Sequence, residues 1–160
     1  MKTLIPILFL IALIAAGISG YAQSVSDKEK SEIIEQHQAL LSETIMAWES
    51  MNVEKVFASY ANHPDFVEVM MDKANNYAAF KQRVTETFKS LQSFKVSDYK
   101  YEYVVISPTI VLYKGKGTIT TTYRNESRGT VIVDFIQTGV TVKSGSTWKI
   151  IQSHTTQTLK

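Results

Sequence analysis

The hydrophobic period of this chain changes once, near Phe94, from the spacing of a helix to that of a strand. Upstream, apolar residues recur three and four positions apart; downstream they alternate. A chain patterned this way makes its helices first and its sheet afterwards, which predicts an α+β fold rather than alternating βαβ units. Every glycine after Gly20 lies at or beyond Gly115, where turns and bends of a sheet need them.

Ser26-Asp27-Lys28-Glu29 fits a capping box and starts the first helix. Ile34, His37, Leu41, Ile45 and Trp48 form its apolar stripe, which runs to about Ser50. Asn52 caps a shorter helix carrying Val53, Val56, Phe57 and Tyr60. Asn62-His63-Pro64-Asp65 is a turn, since proline biases its predecessor away from helix. Phe66 to Met71 reads as a short strand, and Asn75 or Asn76 caps a third helix with Tyr77, Phe80, Val84, Phe88 and Leu91 on its buried side.

In the second half, Tyr99, Tyr101 and Tyr103 alternate with Lys100 and Glu102, and Ser107-Pro108 ends that strand. Ile110 to Tyr123, Thr130 to Val142 and Thr147 to Leu159 are three more, joined by short turns into an antiparallel meander. Gly115 and Gly117 inside a strand point to a bulge or sharp bend.

The first 22 residues stand apart. Met1-Lys2 precedes a charge-free run from Leu4 to Ile18, then small residues at Gly20 and Ala22. This is the layout of a secretory signal cut before Gln23, and the run is short of the roughly 20 apolar residues that span a bilayer. The expectation is an exported protein, periplasmic or secreted, with a leader at 1–22 and one domain at 23–160. A net charge of +2 gives no electrostatic case for nucleic acid. The lack of cysteine excludes thiol catalysis, iron–sulfur sites and a disulfide scaffold. No basic amphipathic helix follows the leader, so no membrane anchor is expected after cleavage.

The order helix, helix, short strand, helix and four long strands resembles the nuclear-transport-factor-2-like superfamily, with its SnoaL-like and ketosteroid-isomerase-like members. The ending sharpens the likeness: Thr138, then Trp148-Lys149-Ile150, then His154, resembles that superfamily's closing pattern. Tyr60 and Pro64-Asp65-Phe66 resemble its passage from second helix to first strand. The resemblance implies three helices packed on a strongly bent antiparallel sheet, a cone with a pocket at its open end, and a homodimer formed through the outer sheet face.

Candidate chemistry rests on few groups. His154 has the parity of Trp148 and Ile150 and is expected to face the cone, where an imidazole can act as acid or base. Asp134 interrupts an apolar strand and is its candidate partner; the alternative is a water-exposed position or a salt bridge to Arg124 or Arg128. His37 lies on an apolar stripe, where a satisfied core histidine is the competing reading. Trp48, Tyr60, Phe66, Tyr101, Tyr103 and Tyr123 complete the expected ligand-binding set, an aromatic wall with hydroxyl tips, against ordinary core packing. Glu68 falls near where ketosteroid isomerases keep a carboxylate base, but its local motif differs and the role is not transferred. His63 and Asp65 fit no zinc pattern, so neither metal nor cofactor is expected. The expected partner is a small, uncharged, partly apolar molecule; the alternative is a non-catalytic module that homodimerises or docks another envelope protein.

Overall fold

The computed structural model describes residues 25–160, so the predicted leader and its cleavage point lie outside the described residues. Helix α1 spans Asp27–Glu49, and the Ser26 hydroxyl accepts from the Glu29 amide at 3.3 Å. Asp27 and Glu29 place negative charge at its positive end. The chain reverses through Met51, held in the left-handed region at φ 49°, into α2 (Val53–Ala58), capped by Asn52. Strand β1 is Val67–Met70, and α3 is Tyr77–Ser90.

Between them stands a strand absent from the sequence reading, β2 (Lys73–Asn75), reached through Met71 at φ 58°. Asn75 and Asn76, read as alternative caps, take different tasks. Asn75 ends β2, and Asn76 caps α3 by accepting from the Ala79 amide at 2.9 Å. Strands β3 (Leu91–Ser107), β4 (Ile110–Tyr123), β5 (Thr130–Ser144) and β6 (Thr147–Leu159) form the expected antiparallel meander. The full sheet has order β2-β1-β6-β5-β4-β3, with β1 parallel to β6.

The helices cover one face of this sheet. Phe57, Tyr60, Phe66 and Phe80 stack at centroid distances of 5.0 to 6.0 Å, pinning α2 and α3 to the start of β1. Such pairs add roughly 0.5–1.5 kcal/mol each beyond area burial, so this corner is a stiff wall. A second cluster, Ile33, Val111 and Trp148, packs at the other end of α1.

Two bulges decide which side chains face inward. On β3 the register steps from Ser97↔Thr118 to Lys100↔Lys116, leaving one extra residue, with Asp98 at φ 53°. The bulge presses on Gly117, where a Cβ would lie 3.0 Å from the Ser97 carbonyl oxygen and the Tyr99 Cα. Tyr99 is thereby turned out, 45% exposed, while Tyr101 and Tyr103 stay inside. On β6 the register steps from Thr141↔Ile150 to Val140↔Gln152, which makes Ile151 the extra residue.

That second bulge corrects the expectation for His154. A bulge reverses the alternation beyond it, so Ser153 and Thr155 are buried with Ile150 whereas His154 is exposed on the outer face. Asp134 is also exposed, opposite Thr118 and Thr158. The strand that carries it alternates, with Val133 and Phe135 inside and Ile132 and Ile136 outside, so no charge is buried there.

Candidate functional site

A cavity of about 110 Å³ lies between the helices and the concave face of the sheet. Leu41, Ile45 and Trp48 of α1 and Phe94 of β3 give it an apolar side; Gln137 of β5 with Thr155 and Gln157 of β6 give it a polar one. Phe80 of the aromatic corner and Phe94, Val96 and Tyr101 on either side of the β3 bulge all line it.

Glu68 of β1 is the charged group of its wall, with a side chain 2% exposed. A buried carboxylate requires a countercharge and hydrogen bonds. Arg83 Nη2 of α3 donates to Oε1 at 2.7 Å, and Asn75 Nδ2 of β2 donates to Oε2 at 2.9 Å. Arg83 is fixed in turn: Nη1 donates to Met70 Sδ at 2.9 Å, and the guanidinium lies 5.4 Å from the Phe80 ring centre. Two of the roughly four acceptor positions of an ionised carboxylate are used.

Neutral hydroxyls accompany that charge. Burial pushes the Tyr60 phenol up to about 12; the Trp48 indole N–H opposes this and the charge of Glu68 adds to it. Burial also raises Tyr101 well above a free phenol. Both remain O–H donors across the physiological range. Tyr101 donates to Gln137 Oε1 at 3.4 Å, and Gln137 Nε2 donates to Thr155 Oγ1 at 3.2 Å, leaving the Thr155 proton to point elsewhere.

Of the residues singled out in the sequence, the structure places Trp48, Tyr60 and Tyr101 on the cavity wall. Phe66 is buried in the aromatic corner behind it, Tyr103 bridges toward the second cluster, and Tyr123 stacks under Arg128 at 3.8 Å. His37 is off the cavity altogether: fully buried, with Nδ1 2.7 Å from the Ile33 carbonyl oxygen, Nε2 2.6 Å from Thr141 Oγ1, and its ring edge-on to Trp148. It is a satisfied core histidine, and desolvation holds it below the usual imidazole value.

His154 and Asp134 do not meet and do not reach the cavity. Asp134 accepts from Thr118 Oγ1 at 2.8 Å and pairs with Lys160 at 3.0 Å; these two partners lower its pKa. The cation is Lys160, not Arg124 or Arg128. Among the described residues no group of three or more His, Cys, Asp or Glu is placed to hold a metal. None of their helices is long and apolar enough to cross a membrane.

The sequence alone does not single out Arg83 or Gln137, and it places Glu68 near a carboxylate-base position without assigning it that role. The signal for Glu68 was parity: it stands two residues from both Phe66 and Met70 and so shares their face.

Together these features define a class: an α+β cone closed on one side by helices, with a single carboxylate in an aromatic cavity. Solved structures of the same shape place this chain in the nuclear-transport-factor-2-like fold. A putative scytalone dehydratase from Novosphingobium aromaticivorans superimposes with a TM-score of 0.76 at 12% identity, covering 83% of this chain and 89% of that one. A hexachlorocyclohexane dehydrochlorinase, LinA type 3, from Novosphingobium barchaimii gives 0.71 at 11%, covering 84% and 93%. A putative dehydratase of the nuclear-transport-factor-2-like family from Streptomyces avermitilis gives 0.67 at 12%, covering 79% and 97%. At such identities the likeness is one of fold. No family model matches the sequence, and neither does any curated protein.

Proposed function

We propose that this chain binds a small, neutral carbonyl compound in the cone and moves a proton on the carbon next to the carbonyl, without a cofactor. The observation that carries the reading is the meeting of a buried carboxylate, Glu68, and a neutral phenol, Tyr60, in one cavity whose other lining residues are uncharged. Glu68 takes the proton from carbon, the electron pair moves onto the carbonyl oxygen, and Tyr60 donates to the oxyanion that forms. In a β,γ-unsaturated ketone, return of the proton from Glu68 to the γ-carbon, with the double bond moved into conjugation, completes an isomerisation. In a β-hydroxy ketone the oxyanion pair returns, the α,β double bond forms, the C–O bond breaks, and protonated Glu68 gives its proton to the departing hydroxyl, which leaves as water. Arg83 and Asn75 position Glu68. The dehydratase-like and ketosteroid-isomerase-like names borne by proteins of the same fold support this class of chemistry.

Native mass spectrometry of protein purified from its own host, with intrinsic fluorescence titrations of neutral ketones, tests the binding half. Trp48 lines the cavity, so its emission shifts on binding, and Trp48→Phe removes that response. A chain that retains no ligand and responds to none of the ketones contradicts the proposal. The leader-like first 22 residues support export, tested by N-terminal sequencing of the processed protein for a start at Gln23.

A second reading, homodimerisation, is favoured by the apolar outer end of the meander. Val104 stands opposite Leu112, with Ile106 and Ile110 beside them, all exposed. A monomer in sedimentation equilibrium at high concentration would set it aside.

A further inference from the structure

A second feature of the outer sheet face is electrostatic and owes nothing to the cone. Lys100 of β3 stands directly opposite Lys116 of β4, an arrangement that costs stability when like charges face each other across strands. Lys114 is the next outward residue along β4. The carboxylate nearby is Glu102, which is already paired with Lys114 at 2.9 Å. Neither Lys100 nor Lys116 forms an ion pair among the described residues. Three cations against one anion leave a charge of 3 − 1 = +2 around a depression of about 250 Å³ lined by these four side chains, Gly115 and Ile136.

The β3 bulge creates this pairing. Without the extra residue near Asp98, Lys100 would fall on the opposite face and Lys116 would stand alone. Ile136, 62% exposed and directly across from Lys116, gives the depression an apolar rim.

We infer that this depression is a binding site for a phosphate-class oxyanion, with Lys100 and Lys116 as its two cationic clamps and Ile136 beside the organic part of the ligand. Lys114, neutralised by Glu102, bounds the site without supplying net charge. The oxyanion cancels the repulsion between the clamps. Free phosphate and the headgroup of an anionic phospholipid present the same chemistry.

The test is a nitrogen-15 NMR titration of the full folded domain with inorganic phosphate at low ionic strength, beside co-sedimentation with vesicles of phosphatidylcholine alone or with phosphatidylglycerol. Saturable shifts confined to Lys100, Lys114 to Lys116 and Ile136 are expected. Lys100→Gln and Lys116→Gln each weaken binding about fivefold, the factor for one unit charge near 4 Å in water, and Lys143→Gln does not. Binding to phosphatidylglycerol vesicles without response to free phosphate assigns the headgroup, and the reverse assigns the free anion. Lys116→Gln is also expected to raise or preserve the melting temperature of the unliganded protein. No saturable response to either probe, a response unchanged in the double variant, or a melting temperature lowered by Lys116→Gln overturns the inference.

Discussion

Arg83 Nη2 lies 2.7 Å from Glu68 Oε1, and this contact joins α3 to the strand that borders the cavity. The carboxylate is buried while the guanidinium is one-third exposed. The pair is thus asymmetric: the acid depends on the base for its presence inside, whereas the base keeps part of its guanidinium in water, with Nε buried. Positions 68 and 83 come together because β1 and α3 both leave the aromatic corner at Phe66 and Phe80.

Removing the cation alone is therefore the damaging change. Arg83→Ala is expected to lower unfolding free energy by about 3 kcal/mol, near the lower end for orphaning a buried charge, because Arg83 itself is partly hydrated. Replacing both partners, Glu68→Leu with Arg83→Met, should recover most of that loss. Urea denaturation of the two variants measures the difference.

His37 gives the stability a definite pH dependence. Its folded pKa lies below the ordinary imidazole value of 6.5, so the unfolded chain binds the extra proton first as pH falls. The stability from the neutral, doubly bonded ring is complete above 6.5 and declines as pH drops from there toward the folded pKa. Denaturation midpoints across that window should show the decline in the wild type and lose this component in His37→Gln.

Gly139 is required where β5 passes beneath an aromatic ring. A Cβ there would lie 2.4 Å from the Tyr113 ring and 2.6 Å from the Gln152 carbonyl oxygen, and the second contact is backbone. Gly139→Ala is expected to cost about 2 kcal/mol by overpacking, read as a lowered melting temperature. Gly145→Ala, in an open turn at φ 62°, meets no neighbour and should cost only about 1 kcal/mol for its left-handed backbone.

The outward residues His154 and Asp134 should be nearly silent. Neither lines the cavity; His154 is exposed, and Asp134→Asn keeps an oxygen that accepts from Thr118 and loses only a solvent-exposed pair with Lys160. His154→Ala and Asp134→Asn are expected to leave both ligand binding and urea midpoints close to wild type.

The fold was legible because its signals are local. Ser26, Asn52 and Asn76 cap helices whose buried stripes are spaced as a helix requires, and the four long strands alternate over most of their length. The site was less so, because it depends on two single-residue insertions in ladders. Ile151 turns His154 outward, and no propensity in Ile-Ile-Gln-Ser-His announces it. The β3 bulge was foreshadowed by Gly117, but on the partner strand. Glu68 and Arg83 are 15 residues apart, and only the crossing of β1 with α3 makes them one unit.

Proton exchange tests the central claim most directly. Wild-type protein is incubated in deuterium oxide with a panel of small enolisable ketones, and loss of the proton beside the carbonyl is followed by NMR. The account predicts exchange that falls by roughly a hundredfold or more in Glu68→Gln, within the usual range for a general base. It also predicts a weaker loss in Tyr60→Phe and wild-type exchange in His154→Ala. Exchange that survives Glu68→Gln, or that disappears with His154→Ala, would contradict it.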